Sequence, residues 1–76
     1  MKITIYGKDN CTYCTMAKNL AESKGAEVRY LSMGKDYTAQ NFMAEFPGAR
    51  TFPQVVFNGR KVGGYAALVE LLTNEE

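Results

Sequence analysis

The chain has no histidine and only two cysteines among its 76 residues. These counts exclude a zinc site built within one chain from four cysteines, or from two cysteines and two histidines. They also exclude a scaffold held by several disulfides. A domain this small buries a limited share of its surface on folding, so its stability must come from a small apolar core.

Long apolar runs and blocks of like charge are also missing. No apolar stretch approaches the roughly 20 residues of a membrane-spanning helix, so we expect no membrane partner. Nine basic and eight acidic residues give a net charge of +1 with the two signs mixed, and we therefore expect no nucleic-acid partner. Residues 1–6 contain no apolar signal region, which predicts a cytoplasmic, reducing location. The apolar fraction of 46% predicts an ordered globular protein, with one domain over residues 1–76.

Apolar periodicity predicts seven secondary-structure elements in the order β-α-β-α-β-β-α. Their predicted ranges are 2–6, 12–24, 28–31, 39–46, 55–57, 60–62 and 65–72. Asn58-Gly59 is typical of a two-residue hairpin turn between the last two strands. A right-handed parallel βαβ unit followed by this hairpin predicts an α/β fold with a mixed four-stranded sheet, three helices, and helices covering both faces.

Aromatic and aliphatic residues in the later elements are predicted to lie in the core. Phe42, Met43 and Phe46 follow helical spacing, which indicates one buried helix face. Phe57 in a strand and Tyr65 in the last helix are expected to be core residues as well.

Cys11 and Cys14 are the candidate chemical centre. A disulfide between residues three apart closes a very small loop, so it is a poor structural staple. The pair lies between the first strand and the first helix, where backbone N–H groups and the helix dipole stabilise a thiolate at Cys11. Cys14 would lie one turn further along and be less exposed. This arrangement predicts that Cys11 attacks a substrate disulfide and that Cys14 resolves the mixed disulfide.

Three interpretations of this pair compete. The cysteines are a redox dithiol, or they are inert buried residues, or they form half of a metal site completed by a second chain. The position before a helix within a βαβ unit favours the redox dithiol. Lys8, three residues before Cys11, would add positive charge near the thiolate.

Three segments of the chain resemble motifs of one known family. Cys11-Thr12-Tyr13-Cys14 resembles a C-P-Y-C active site, and the run from Arg50 to Val55 resembles a T-V-P-Q segment with a cis proline. Gly63-Gly64-Tyr65 resembles a G-G-Y turn into the last helix. In this order and at this spacing, the sequence resembles a dithiol glutaredoxin, of the thioredoxin-fold superfamily, over nearly its whole length.

The resemblance implies a minimal thioredoxin-like fold and a glutathione-dependent thiol–disulfide oxidoreductase. Such a protein reduces protein disulfides and glutathione mixed disulfides, with Cys11 and Cys14 as catalytic residues. Glutathione would be the reducing co-substrate, no metal would be needed, and the protein would be a monomer. Disulfide-containing proteins such as ribonucleotide reductase would be its partners.

The resemblance also implies a binding site around the cysteines. Lys8 and Arg50 would hold the two carboxylates of glutathione, and Tyr13 would flank the thiolate. Gly63 and Gly64 would permit close approach of the backbone before a helix N-terminus that receives a carboxylate. The remaining residues implied in glutathione or substrate binding are Thr51, Phe52, Pro53 and Tyr65. A cis Pro53 would turn the backbone N–H and C=O of Phe52 toward the cysteines.

Several residues depart from the family pattern. Thr12 stands in place of the usual proline, and Phe52 is bulkier than the usual valine. Ala66 and Ala67 stand where an aspartate commonly binds the glutathione amino group. These departures leave two other functions open, namely a redoxin reduced by thioredoxin reductase and a dimer that shares an iron–sulfur cluster through Cys11 and glutathione.

Overall fold

The structure is a computed structural model that describes residues 1–74; the last two residues of the domain predicted over 1–76 lie outside the described part. The described residues form four strands and three helices in the predicted order. They are β1 (Lys2–Gly7), α1 (Thr12–Ser23), β2 (Glu27–Ser32), α2 (Ala39–Glu45), β3 (Gln54–Phe57), β4 (Arg60–Gly63) and α3 (Tyr65–Asn74).

The four strands form one mixed sheet in the order β2-β1-β3-β4. β1 is parallel to β2 and antiparallel to β3, and β3 is antiparallel to β4. The predicted mixed sheet is therefore confirmed. β1 lies between β2 and β3, so its carboxyl end is hydrogen-bonded on both sides. The loop to α1 therefore begins at a fixed position.

One face of the sheet carries the main core. Side chains alternate between the two faces of a strand, so Ile3 and Ile5 share a face. They pack with Val55 of β3 and with buried side chains of the two long helices, namely Ala17 and Ala21 of α1 and Leu68 and Leu72 of α3. Phe57 and Tyr65 are partly buried and pack against this core, as predicted. Both long helices therefore cover the same face.

The opposite face is covered mainly at one end, by the aromatic cluster of Tyr6, Tyr37, Phe42, Phe46 and Phe52. The ring centroid of Tyr6 lies 4.9 Å from that of Phe46 and 5.3 Å from that of Tyr37. Thr4, Arg29 and Lys61 occupy other positions on this face and keep it polar. The expectation that helices cover both faces is thus met only where α2 approaches the end of β1.

Short-range sequence signals explain where the elements begin and end. After α1, Gly25 adopts φ +80°, and the N–H groups of Gly25 and Ala26 donate to the carbonyls of Glu22 and Ala21. This is the Schellman arrangement that ends a helix. Before α2, the Thr38 hydroxyl accepts the N–H of Asn41 while the Asn41 side chain accepts the N–H of Thr38.

The predicted hairpin turn is also present. Asn58 and Gly59 both have positive φ, as a type I′ turn requires. The Asn58 side chain accepts the backbone N–H of Lys2 at 2.8 Å, and its own N–H donates to the Lys2 carbonyl at 2.8 Å. The hairpin is therefore joined to the beginning of β1 as well as to the sheet ladder.

The predicted core position of Met43 is wrong. Its side chain is 67% exposed, whereas Phe42 and Phe46 are buried. Helix α2 has only seven residues and contacts the aromatic cluster along the single row that Phe42 and Phe46 form at i, i+4 spacing. Met43 lies one residue from that row and faces solvent.

Among residues 1–74, no helix has the length and apolar character needed to cross a bilayer.

Replacing Leu68 by alanine should lower the free energy of unfolding by about 2–5 kcal/mol, because Leu68 is fully buried between α3 and the sheet. Met43→Ala is the matched control, and its effect should stay within about 0.5 kcal/mol. Urea unfolding of the oxidised protein, followed by circular dichroism, measures both changes. Similar losses in the two variants would contradict this description of the core.

Candidate active site

Cys11 and Cys14 are joined as a disulfide at the beginning of α1, with their Cα atoms 5.2 Å apart. Cys11 is the N-cap residue, and its extended backbone lets its side chain turn back over the first turn of the helix. Cys14 is completely buried, whereas Cys11 is partly exposed. An incoming disulfide can therefore approach Cys11 but not Cys14, which agrees with the predicted division of roles.

The Cys11 sulfur occupies the place that a serine or aspartate oxygen takes in an ordinary helix cap. Its Sγ accepts the backbone N–H of Cys14 at 3.2 Å. The N–H groups of the first helical turn have no carbonyl partners within the helix, so they favour negative charge at this point. The same contact would therefore stabilise the thiolate of Cys11 after reduction, which is the nucleophilic form.

The loop that contains Thr51, Phe52 and Pro53 lies against the disulfide. The Phe52–Pro53 peptide bond is cis, as the family resemblance implied. The Phe52 carbonyl oxygen lies 3.9 Å from the Cys11 Sγ. Pro53 itself is fully buried behind the site, so it shapes the loop without contacting an incoming molecule directly.

The Phe52 ring joins three parts of the protein. It stacks on Phe42 of α2 with the ring centroids 4.7 Å apart. The Lys8 Nζ lies 5.1 Å from the Phe52 ring centroid, which is within the range of a cation–π contact. Lys8 belongs to the loop between β1 and α1, so this contact places its ammonium group next to the proline loop and the cysteines.

An open cleft of about 600 Å³ lies on one side of the disulfide. We call it the apolar cleft. Its walls are formed by Tyr13 of α1, Thr51 and Phe52 of the proline loop, and the first residues of α3, from Gly64 to Ala66 together with Val69. Tyr13 and Tyr65 lie side by side with their ring centroids 5.6 Å apart. Among residues 1–74, no charged side chain lines this cleft.

A second cleft of about 530 Å³ includes Cys11 itself. We call it the polar cleft. It is lined by Lys8, Asp9 and Asn10 of the loop before α1, by Thr12 and Thr15 of α1, and by Tyr30 of β2. The exposed sulfur of Cys11 thus lies between two clefts of different chemical character.

Three of the predicted binding residues line neither cleft: the buried Pro53, Arg50 and Gly63. Arg50 is exposed on the loop before Thr51 and lines neither cleft. Gly63 also lines neither; its φ of +123° favours glycine, and an added Cβ would lie 3.1 Å from Ala67. Gly64 does line the apolar cleft and lies close to the Pro53 carbonyl oxygen.

Two tyrosine hydroxyls support the loop that leads to Cys11, and the sequence patterns did not indicate this role. The Tyr37 hydroxyl donates to the Gly7 carbonyl at 2.6 Å, and the Tyr30 hydroxyl lies 3.5 Å from the Lys8 carbonyl oxygen. Burial is the main reason that the pKa of Tyr37 rises to about 12, with smaller effects from Tyr30 and Tyr6. Burial, followed by the Asp9 charge, also raises the pKa of Tyr30.

Ala66 and Val69 also line the apolar cleft. Ala66 stands where the family resemblance places a glutathione-binding aspartate, whereas no sequence pattern assigned Val69 to a binding surface. The i, i+4 spacing of Val69 from Tyr65 indicates only that the two residues share a helix face. That spacing is equally typical of an ordinary core helix. Only the packing of α3 beside the proline loop shows that Val69 lines a cleft.

Within residues 1–74, no group of three or more potential metal-ligating side chains occurs.

Comparisons with known proteins converge on one family. The sequence model of the glutaredoxin family matches residues 3–62. A glutaredoxin from Vernicia fordii is 32% identical over 65 residues, which cover 82% of this chain and 62% of that protein. The chain spans less than two thirds of the length of the first curated relatives it matches.

Solved structures of the same kind share the fold. A glutaredoxin from Brucella melitensis is 34% identical, with a TM-score of 0.73 over 93% of this chain and 77% of that one. A buckwheat glutaredoxin solved in complex with glutathione is 27% identical, with a TM-score of 0.71 over 96% of this chain and 69% of that one. The three helices and the mixed four-stranded sheet therefore form a thioredoxin-like fold.

Replacing Tyr37 by phenylalanine should lower the free energy of unfolding by about 0.5–1.5 kcal/mol near pH 7, because the Gly7 carbonyl loses one of its two hydrogen bonds and keeps only the one from the Met33 N–H. The folded-state pKa of Tyr37, about 12, exceeds its ordinary value of 10.0, so the unfolded chain releases this proton first. The stabilisation by the Tyr37 hydroxyl is thus fully present below pH 10.0 and is lost as the pH rises toward about 12.

Urea unfolding of the two oxidised proteins at several pH values between neutral and strongly alkaline measures this effect. The difference in unfolding free energy between the wild type and Tyr37→Phe should shrink as the pH rises. A difference that stays constant or grows would show that the Tyr37 hydroxyl does not act in this way.

Proposed function

The chain belongs to the glutaredoxin family, and from this membership we propose that it is a thiol–disulfide oxidoreductase that uses glutathione. Its substrates would be protein disulfides and glutathione mixed disulfides. The observation that carries the proposal is the asymmetric pair of cysteines at the beginning of α1. Cys11 is partly exposed and its sulfur accepts the backbone N–H of Cys14, and Cys14 is buried within reach of it.

Reduction of a protein disulfide takes two exchange steps at Cys11. The Cys11 thiolate attacks one substrate sulfur, so the substrate S–S bond breaks, one substrate thiolate leaves, and a mixed disulfide forms. Cys14, after losing its proton, then attacks the Cys11 sulfur and releases the second substrate thiolate. Two electrons have passed to the substrate, and the protein holds the Cys11–Cys14 disulfide.

Glutathione would complete the cycle in two further exchanges. One glutathione thiolate opens the Cys11–Cys14 disulfide and forms a mixed disulfide with Cys11, and a second glutathione releases glutathione disulfide. A glutathionylated protein needs only Cys11, because Cys11 takes the glutathione group directly and a free glutathione then removes it. Cys14 is therefore required for one substrate class but not for the other.

Features on both sides of Cys11 support glutathione as a co-substrate. The Lys8 ammonium group lies beside the proline loop, where it is available to a carboxylate. On the other side, the first turn of α3 borders the apolar cleft, and its N–H groups have no carbonyl partners within the helix. The buckwheat relative in complex with glutathione supports the same assignment. Arg50 contributes no support, since it lines neither cleft.

Thioredoxin reductase is a second candidate source of electrons. This alternative is supported by the lining of the apolar cleft, which contains no charged side chain from the described part of the chain, so that the glutathione amino group would find no carboxylate among these residues. A cytoplasmic location, a monomeric state, and ribonucleotide reductase as a protein substrate stay predictions from the sequence and the family resemblance.

Cys11→Ser should abolish reduction of both substrate classes, because the variant lacks the attacking sulfur. Cys14→Ser should lose reduction of protein disulfides but keep reduction of a glutathione mixed disulfide. Activity is measured in a coupled assay with glutathione, glutathione reductase and NADPH. Residual activity of Cys11→Ser at the wild-type level would refute the proposed function.

The electron source is tested with the wild-type protein in the same assay. Glutathione with glutathione reductase is supplied in one series and thioredoxin reductase alone in another. Turnover only with the first system supports the proposal. Turnover only with the second would replace glutathione by thioredoxin reductase and leave the disulfide chemistry in place.

Lys8→Ala should lower kcat/KM for a glutathione mixed disulfide by up to about fivefold, as expected for one exposed charge contact. Arg50→Ala is the matched control, since it removes the same charge from a residue outside both clefts, and its effect should be smaller. Increasing salt should reduce the difference between wild type and Lys8→Ala. An equal or larger loss in Arg50→Ala would contradict the assignment of Lys8.

A further inference from the structure

We infer that the apolar cleft selects protein disulfides in which an apolar side chain stands next to the reacting cysteine. This inference deepens the proposed disulfide reduction and rests on it. The cleft lies next to the reactive centre, because its lining residue Tyr13 lies between the two cysteines in sequence and the carbonyl oxygen of its lining residue Phe52 lies 3.9 Å from the Cys11 Sγ. Neighbouring Cα atoms are about 3.8 Å apart, so a polypeptide bound to Cys11 must place an adjacent residue near this cleft.

The walls of the cleft favour an apolar occupant. They are formed by Tyr13 and Tyr65, whose rings lie side by side, by Ala66 and Val69, and by Phe52, whose own ring stacks on Phe42. The Thr51 hydroxyl is a polar group here, and it already lies 3.4 Å from the Gln54 amide nitrogen as a hydrogen-bond acceptor. A lysine side chain entering the cleft would lose water without gaining an opposite charge from the lining residues among 1–74, which is unfavourable.

The polar cleft, which includes Cys11, differs from the apolar cleft in its charged and polar lining, and this difference produces selectivity. There Lys8 and Asp9 offer both signs of charge, and polar side chains surround the sulfur. A substrate segment that passes Cys11 would therefore meet apolar contacts on one side and charged contacts on the other. Such a difference orients the segment as well as selecting it. The expected substrate has one apolar and one polar neighbour of its cysteine.

The test uses pre-reduced protein in a single turnover, so that no external reductant is needed. The substrates are homodisulfides of short peptides that differ at one residue, which is leucine or lysine, placed immediately before or immediately after the cysteine. Each turnover converts the Cys11/Cys14 dithiol to its disulfide and one peptide disulfide to two peptide thiols. At one of the two positions, leucine should react about tenfold faster than lysine, a ratio typical of a hydrophobic pocket.

Ala66→Asp is the decisive variant. Ala66 is exposed in the first turn of α3, where the helix dipole favours an added carboxylate, so the fold should tolerate it. At the selective position, the rate ratio of leucine to lysine should fall by about fivefold, as expected for one charge contact at a surface. Asn19→Asp is the matched control, since it changes the net charge equally on an exposed residue of α1 that lines neither cleft. It should leave the ratio unchanged.

Two outcomes would overturn the inference while leaving the proposed function intact: equal rates for leucine and lysine at both positions, or equal shifts in Ala66→Asp and Asn19→Asp. Second-order rate constants that fall as the protein concentration rises, with dimers in sedimentation, would assign the cleft to a second copy of the chain and also overturn it. Failure to reduce any of the peptides or a glutathione mixed disulfide would instead refute the proposed function.

Discussion

The hydrogen bond between the Cys14 N–H and the Cys11 sulfur is the interaction on which the site depends. It lets one atom serve both as the cap of α1 and as the nucleophile. A cap must lie in line with the unsatisfied N–H groups of the first turn, so the position of the sulfur follows from the position of the helix. The packing of α1 against the sheet therefore also fixes the position of the reactive sulfur.

The sheet and the aromatic cluster both support the segments that hold Cys11 in place. β1 ends at Gly7 between two neighbouring strands, and the Tyr37 hydroxyl holds the Gly7 carbonyl from the side of α2. Phe52 stacks on Phe42 from the same cluster, so α2 also supports the proline loop that borders Cys11. A helix of only seven residues thus contributes to both segments that flank the sulfur. Because aromatic pairs contribute about 0.5–1.5 kcal/mol each beyond their buried area, a few rings suffice for this support.

The main core contains neither cysteine. Its buried residues come from β1, β3, α1 and α3, and they pack on the face of the sheet that both long helices cover. A disulfide between residues three apart also restricts the unfolded chain very little. The fold can therefore keep its stability in both redox states, as a protein that cycles between a dithiol and a disulfide requires. The small number of cysteines in this chain thus agrees with a chemical role rather than a structural one.

Local sequence signals determined most of the architecture and the chemical centre. Apolar periodicity and the Asn58-Gly59 turn predicted the order of the elements, because each signal acts within a few residues. The position of Cys11 before a helix likewise indicated the reactive thiol. Only the tertiary structure decided that Met43 is exposed, that one sheet face stays largely polar and that Arg50 lines neither cleft. The apolar cleft joins residues near 13, 52 and 66, and its character depends on packing between segments that no local pattern relates.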